Sequence, residues 1–149
     1  MHPYPHTYNV AASGGASGPV SVTAAGLPEI RTEPPPQFDG PGGAWSPESL
    51  LCAAVADCFI LSFRAYARVA RFEWLQLECQ VEGTLERVER AAQFTAFRTH
   101  ATLTVSPDAA IERAHQLLEQ AEQGCLIANS LRGSRALEAQ VLVRQPGVT

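Results

Sequence analysis

Cys58 and Cys125 are the residues of this chain whose type and setting best suit chemistry. Cys58 lies in Ser46-Pro47-Glu48-Ser49-Leu50-Leu51-Cys52-Ala53-Ala54-Val55-Ala56-Asp57-Cys58-Phe59, and Cys125 follows Gly124 in Cys125-Leu126-Ile127-Ala128-Asn129-Ser130. Both contexts are apolar and helical in character. A fold that joins the two makes a thiol pair able to reduce an oxidant. A fold that keeps them apart makes two ordinary buried cysteines. Cys58 sits well inside its predicted helix, beyond the reach of the helix N-terminus, so a thiolate there needs a basic neighbour, a hydrogen-bond donor or a partner subunit. Gly124 predicts a break that sets Cys125 at a helix start, where unpaired N–H groups favour thiolate. Simple packing under the short helix is the alternative.

The remaining chemistry-bearing residues read more plainly. Cys52, six residues before Cys58, falls on another side of the helix and is expected to pack. Cys79 belongs to the apolar alternation of a strand. Glu48 stabilises a first helical turn through the dipole. Asp57 adjoins Cys58 in sequence but does not share its direction, and a carboxylate beside a thiolate raises the thiol pKa rather than lowering it. It is expected to face solvent or to pair with Arg64 or Arg68. His2, His6, His100 and His115 define no site. Phe59 and Phe63 are expected in packing, whereas Trp45 and Leu126 flank the approach to the cysteines.

The elements that must position these residues follow from pattern. Residues 7–12 and 19–24 predict short strands around the turn-forming Ser13-Gly14-Gly15-Ala16-Ser17-Gly18. A third extended piece covers 27–32. Pro34-Pro35-Pro36 then excludes regular helix or central strand, and 37–45 is a glycine-rich loop. Ser46 as N-cap and Pro47 at the first helical position open a helix over 47–70. Its apolar stripe is Leu51, Val55, Cys58, Ser62, Ala65 and Val69, widened by Leu50, Ala54, Leu61 and Phe72. Strict alternation predicts a strand over 74–86, a turn at 87–91 and a returning strand over 94–105. Ser106-Pro107-Asp108 opens a second helix reaching 123, with Ile111, Ala114, His115, Leu118 and Ala121 inward. A short helix over 125–131 and a strand over 136–144 complete the order. The class is α+β, read as one domain over 1–149.

Composition narrows the function. The chain has 149 residues, 46% of them hydrophobic and 17% charged, as a globular domain requires. Its net charge is −4 and every basic side chain among Lys and Arg is arginine, with no dense basic stripe, so nucleic acid is not an expected partner. No membrane span and no signal peptide are expected, which predicts a cytoplasmic protein with reduced thiols. Four cysteines without nearby histidines do not match a structural zinc site, and no glycine-rich nucleotide motif follows a strand. Neither a metal nor a cofactor is expected.

The segments 46–59 and 121–130, with the intervening strand pattern, resemble those of the OsmC/Ohr proteins, small bacterial enzymes that reduce organic hydroperoxides with thiol chemistry. The resemblance covers nearly the whole chain. It implies an OsmC-like fold with antiparallel sheets, a long central cysteine-bearing helix and a second helix, assembled as an intertwined homodimer with active sites near the subunit interface. Cys58 then matches the peroxidatic cysteine, Cys125 the resolving cysteine, and Glu48 the acidic residue that orients an arginine across the site. The implied cycle is attack of Cys58 on the peroxide, release of an alcohol, condensation of the sulfenic acid with Cys125, and reduction by a dihydrolipoyl protein or another thiol.

One departure places the chain nearer the general OsmC-like branch than typical Ohr enzymes. Peroxide-reducing branches carry an arginine near the N-terminal hairpin turn, where this chain has Gly14-Gly15-Ala16-Ser17-Gly18. Arg31 and Arg132 are the nearest alternatives, and Leu126 stands where many members have proline. The competing reading is a nonenzymatic dimer that binds an apolar ligand or senses redox state.

Overall fold

Ser46 and Ser49 set the start of the longest element. In the computed structural model, which describes residues 1–145 and 147, the Ser49 N–H donates to Ser46 Oγ at 3.1 Å and the Ser46 N–H donates to Ser49 Oγ at 2.9 Å. This is a capping box with serine in place of the usual Glu or Gln, and Pro47 follows at the position where a missing N–H costs nothing. Helix α1 runs over Pro47–Val69. It ends in a Schellman motif: Arg71 takes a left-handed φ of 53°, its N–H bonds Arg68 O, and the Phe72 N–H bonds Ala67 O.

The chain divides into two units, Met1–Leu51 and Cys52–Thr149, with the boundary inside α1. The first holds an antiparallel sheet of β1 (Ala11–Ser13), β2 (Val20–Thr23) and β3 (Ile30–Thr32). The second and third expected extended segments are present but shorter, and the first is shifted to Ala11–Ser13, taking in Ser13 of the expected turn. The proline run yields a single 3-10 turn over Pro36–Phe38.

The second unit carries the core. β4 (Gln76–Val88) and β5 (Ala91–Val105) form a long antiparallel hairpin closed by Glu89 and Arg90, with Glu89 at φ 57°. Helices α2 (Ile111–Gln123) and α3 (Leu126–Asn129) then return the chain, and β6 (Ser134–Val143) pairs with β5 in parallel. This corrects the expectation of wholly antiparallel sheets: a helical crossover brings β6 back to the end where β5 began, and such a connection yields parallel strands. Leu77, Ala101, Leu103 and Val105 present the inner sheet face to Phe59, Phe63 and Ala67 of α1 and to Ala114, Leu117, Leu118 and Ala121 of α2.

Three helix expectations change. The buried stripe of α1 is Val55, Phe59, Phe63 and Ala67, not the neighbouring stripe through Cys58, Ala65 and Val69. In α2, residues 106–110 form a turn ahead of the helix, Ile111 and His115 are exposed, and Leu117 joins the core. Finally, α1 is long and apolar enough to meet the length and hydropathy of a membrane span, contrary to the sequence expectation. Its Val55–Phe59–Phe63–Ala67 face nevertheless packs into a globular core, the usual fate of such a helix in an α+β domain.

Candidate active site

Cys58 is half-buried on α1, beside the stripe that fills the core. Its Sγ lies 3.9 Å from Ser62 Oγ, one turn further on. It opens on a cavity of about 450 Å³ whose walls include Ala54, Leu61, Ala65, Leu126 and Ile127, with Asp57 as the charged group. Asp57 is exposed, and no ion pair joins it to Arg64 or Arg68 among the described residues. A ligand entering this space meets mostly alkyl groups, with the Cys58 sulfur, the Ser62 hydroxyl and the Asp57 carboxylate as its polar contacts.

Cys125 stands behind it. The residue occupies the N-cap position of α3 in an extended conformation (φ −68°, ψ 104°) and is wholly buried. Its thiol points at the Val55 carbonyl, 4.0 Å away and one turn before Cys58. The structure thus brings the ends of two distant segments to the same stretch of α1, with both cysteines reduced. Burial pushes the Cys125 thiol up to about 11; the Ala128 N–H opposes the rise without closing a cap hydrogen bond, while the Cys58 thiol and the Glu122 carboxylate add to it. The expected thiolate-stabilising helix start is therefore corrected. α3 has only four residues, and desolvation outweighs the N–H groups it offers. An accessible thiol backed by a buried one is a suitable order for attack first and resolution second.

The other cysteines are packing residues here. The Cys52 Sγ sits over Gly83, where a Cβ would approach it to 2.7 Å, and burial raises its pKa. Cys79 lies on the inner side of β4; burial pushes it up to about 11, helped by Glu122 and Cys125. Phe59 and Phe63 are fully buried core side chains and do not line the cavity. His100 Nδ1 lies 3.0 Å from Glu138 Oε2 on the strands. In the N-terminal unit, Glu48 occupies the first turn of α1, and its Oε2 is buried with no hydrogen-bond partner among the described residues. Arg31 is exposed and lies 3.7 Å from Glu29. Arg132 is exposed after α3. No group of three or more metal-ligating side chains forms among the described residues.

Two features of the Cys125 turn escaped sequence reasoning. Gly124 is required by space rather than by torsion: its φ is −93°, but a Cβ would overlap the Tyr66 hydroxyl and meet the ring carbons at 2.8 Å. Arg135 of β6 donates to Glu122 Oε1 at 2.8 Å, to Asn129 Oδ1 at 2.5 Å and to the Glu122 carbonyl. Neither contact leaves a periodic signal in the sequence. Gly124→Ala is expected to destabilise the fold by about 1–3 kcal/mol through overpacking, and a second change, Tyr66→Ala, to recover part of that loss. Urea unfolding of the two variants checks this; an unchanged midpoint in Gly124→Ala would show that Tyr66 moves aside freely.

A model of OsmC-like proteins matches residues 40–139, a span that includes Glu48, Cys58 and Cys125. The chain belongs to the OsmC-like protein family. This OsmC-like protein is 25% identical over 116 residues to the uncharacterized protein YmaD of Bacillus subtilis, covering 76% of this chain and 77% of that one. Among solved structures it is similar to an organic hydroperoxide resistance protein OsmC from Legionella pneumophila (TM-score 0.74, 26% identity, 94% of this chain and 99% of that one). It also shares its fold with an OsmC-like protein of unknown function from Vibrio cholerae (TM-score 0.82, 16% identity, 91% and 99% covered).

Proposed function

We propose that this OsmC-like protein is a thiol-dependent peroxidase for organic hydroperoxides. The observation that carries the reading is the convergence of a cavity-facing Cys58 and a buried Cys125 on one stretch of α1. Family membership and the organic hydroperoxide resistance protein of Legionella pneumophila support it. The Cys58 thiolate attacks the distal peroxide oxygen, the O–O bond breaks, and the alkoxide leaves and takes up a proton as the alcohol. The sulfur retains OH as sulfenic acid. The Cys125 sulfur then attacks Cys58, expelling water and forming the disulfide. A dithiol such as a dihydrolipoyl protein returns both cysteines to thiols by exchange.

The alkyl walls of the cavity favour a hydrophobic peroxide. Glu48, with a carboxylate oxygen lacking a partner, is assigned the family's acidic role of orienting a donor. We read residues 1–149 as one domain that works as a homodimer in the cytoplasm. Exposed apolar side chains at the mouth of the cavity and further along α1 support a second copy: Leu61 is 50% exposed, Leu126 64% and Val69 86%. The test is catalytic loss of cumene hydroperoxide with dihydrolipoamide as reductant. Peroxide that persists beside fully reduced protein would favour an apolar-ligand-binding or redox-sensing protein instead.

A further inference from the structure

We propose that Arg135 is a positioning residue for resolution, holding the turn that presents Cys125 to Cys58; this rests on the two-cysteine reading above. One guanidinium reaches across the turn. It binds the Glu122 side chain and carbonyl at the end of α2, and Asn129 Oδ1 at the end of α3. Cys125 lies between these anchors, and its backbone is tied to both. The Cys125 N–H donates to the Glu122 carbonyl at 3.4 Å, and the Asn129 N–H donates to the Cys125 carbonyl at 2.9 Å. Asn129 Nδ2 closes the loop on the Gln123 carbonyl at 3.0 Å.

The pair is also shielded. Arg135 and Glu122 side chains are 26% and 16% exposed, against 55% and 61% for Arg98 and Glu138. Exposed pairs of the latter kind contribute little, whereas a shielded guanidinium with several acceptors fixes geometry. The rigid planar fork favours arginine over lysine: three separate nitrogens, Nε, Nη1 and Nη2, reach the side chain, amide and carbonyl, whereas an ammonium offers its donors from a single nitrogen. The step affected is the condensation of Cys58 sulfenic acid with the Cys125 thiol, which yields the disulfide and water. Attack of Cys58 on peroxide takes no polar group from the turn, which gives that step only the alkyl walls Leu126 and Ile127.

The experiment mixes reduced full-length protein with one equivalent of cumene hydroperoxide and follows two signals: dimedone-trapped Cys58 sulfenic acid and the Cys58–Cys125 disulfide. In Arg135→Gln, sulfenic acid is expected to form at the wild-type rate while the disulfide forms about tenfold more slowly or worse, since a displacement near 1 Å can cost up to about 10²-fold. Arg135→Lys is expected to restore only part of the rate. Should Arg135→Gln fold poorly, Asn129→Ala removes one anchor and keeps the charge pair, and a several-fold slowing of the same step is expected. Wild-type disulfide rates in a folded Arg135→Gln, or in Asn129→Ala where that variant stands in, overturn the proposal alone. A wild-type protein that forms neither sulfenic acid nor disulfide overturns the peroxidase reading and the proposal with it.

Discussion

Cys58→Ser is expected to lower peroxide reduction by on the order of 10³-fold or more, to the background of the buffer. A hydroxyl is a far weaker nucleophile at neutral pH and cannot hold the transferred oxygen as a sulfenic acid. The change should leave the fold alone. Cys58 is half-buried, its polar contact is Ser62 at 3.9 Å, and serine is close to cysteine in shape. The expected result is thus an intact melting transition with no loss of cumene hydroperoxide in the dihydrolipoamide assay. Cys52→Ala, by contrast, should retain turnover, since that sulfur is packed over Gly83. Residual turnover in Cys58→Ser would move the attacking role to another sulfur.

The second large effect is a steep pH dependence of resolution. Burial pushes the Cys125 thiol up to about 11, from an ordinary value of 9.0. At pH 7 the thiolate fraction is then on the order of one in 10⁴, and it grows about tenfold per pH unit until it levels near the folded pKa. Disulfide formation from a preformed Cys58 sulfenic acid is therefore expected to accelerate about 10²-fold between pH 7 and 9. The same shift acts on stability with the opposite sense. The folded pKa exceeds the unfolded one, so the unfolded state holds fewer protons between 9.0 and about 11. The contribution to stability is complete below pH 9 and is lost as pH rises toward 11. Rapid-mixing measurements between pH 7 and 9 read the chemistry while the fold is unperturbed. A rise that bends over as pH 9 is approached would show that Cys125 ionises at an ordinary pKa, and a flat profile that its thiolate does not resolve Cys58.

What the sequence reveals depends on whether local pattern decides the outcome. The Ser46–Pro47 start of α1 is legible because capping is a matter of adjacent residues, and the Ser46–Ser49 bonds bear it out. The alternation through Leu77, Cys79 and Val81 likewise reported the inner side of β4. The choice of face on α1 was not legible. Its alanine-rich sequence offers several apolar stripes, and only packing against the sheet selects Val55, Phe59, Phe63 and Ala67 over the stripe through Cys58. Strand direction for β6 had no local signature, because periodicity is the same in parallel and antiparallel pairs. His115 follows Ala114 by one residue, which turns it away from the Ala114–Leu117–Leu118–Ala121 stripe and leaves it exposed.

The candidate site divides along the same line. Cys58 and Cys125 stand out by residue type and by family resemblance, and the fold brings the Cys125 thiol to the Val55 carbonyl of α1, one turn before Cys58. The state of Cys125 did not follow from its place after Gly124, since burial is a tertiary property that outweighs a four-residue helix start. Arg135 was invisible for the same reason. Its partners, Glu122 and Asn129, belong to other elements, and no spacing rule links them.

The peroxidase reading requires Cys58 and Cys125 to act as one redox pair. Peptide mass spectrometry after adding one equivalent of cumene hydroperoxide to the reduced protein, with free thiols trapped at early times, tests it most directly. Rapid appearance of a Cys58–Cys125 disulfide, lost in Cys58→Ser, is the expected result. Both cysteines remaining reduced while the peroxide persists, or a disulfide that joins a different pair, would contradict it.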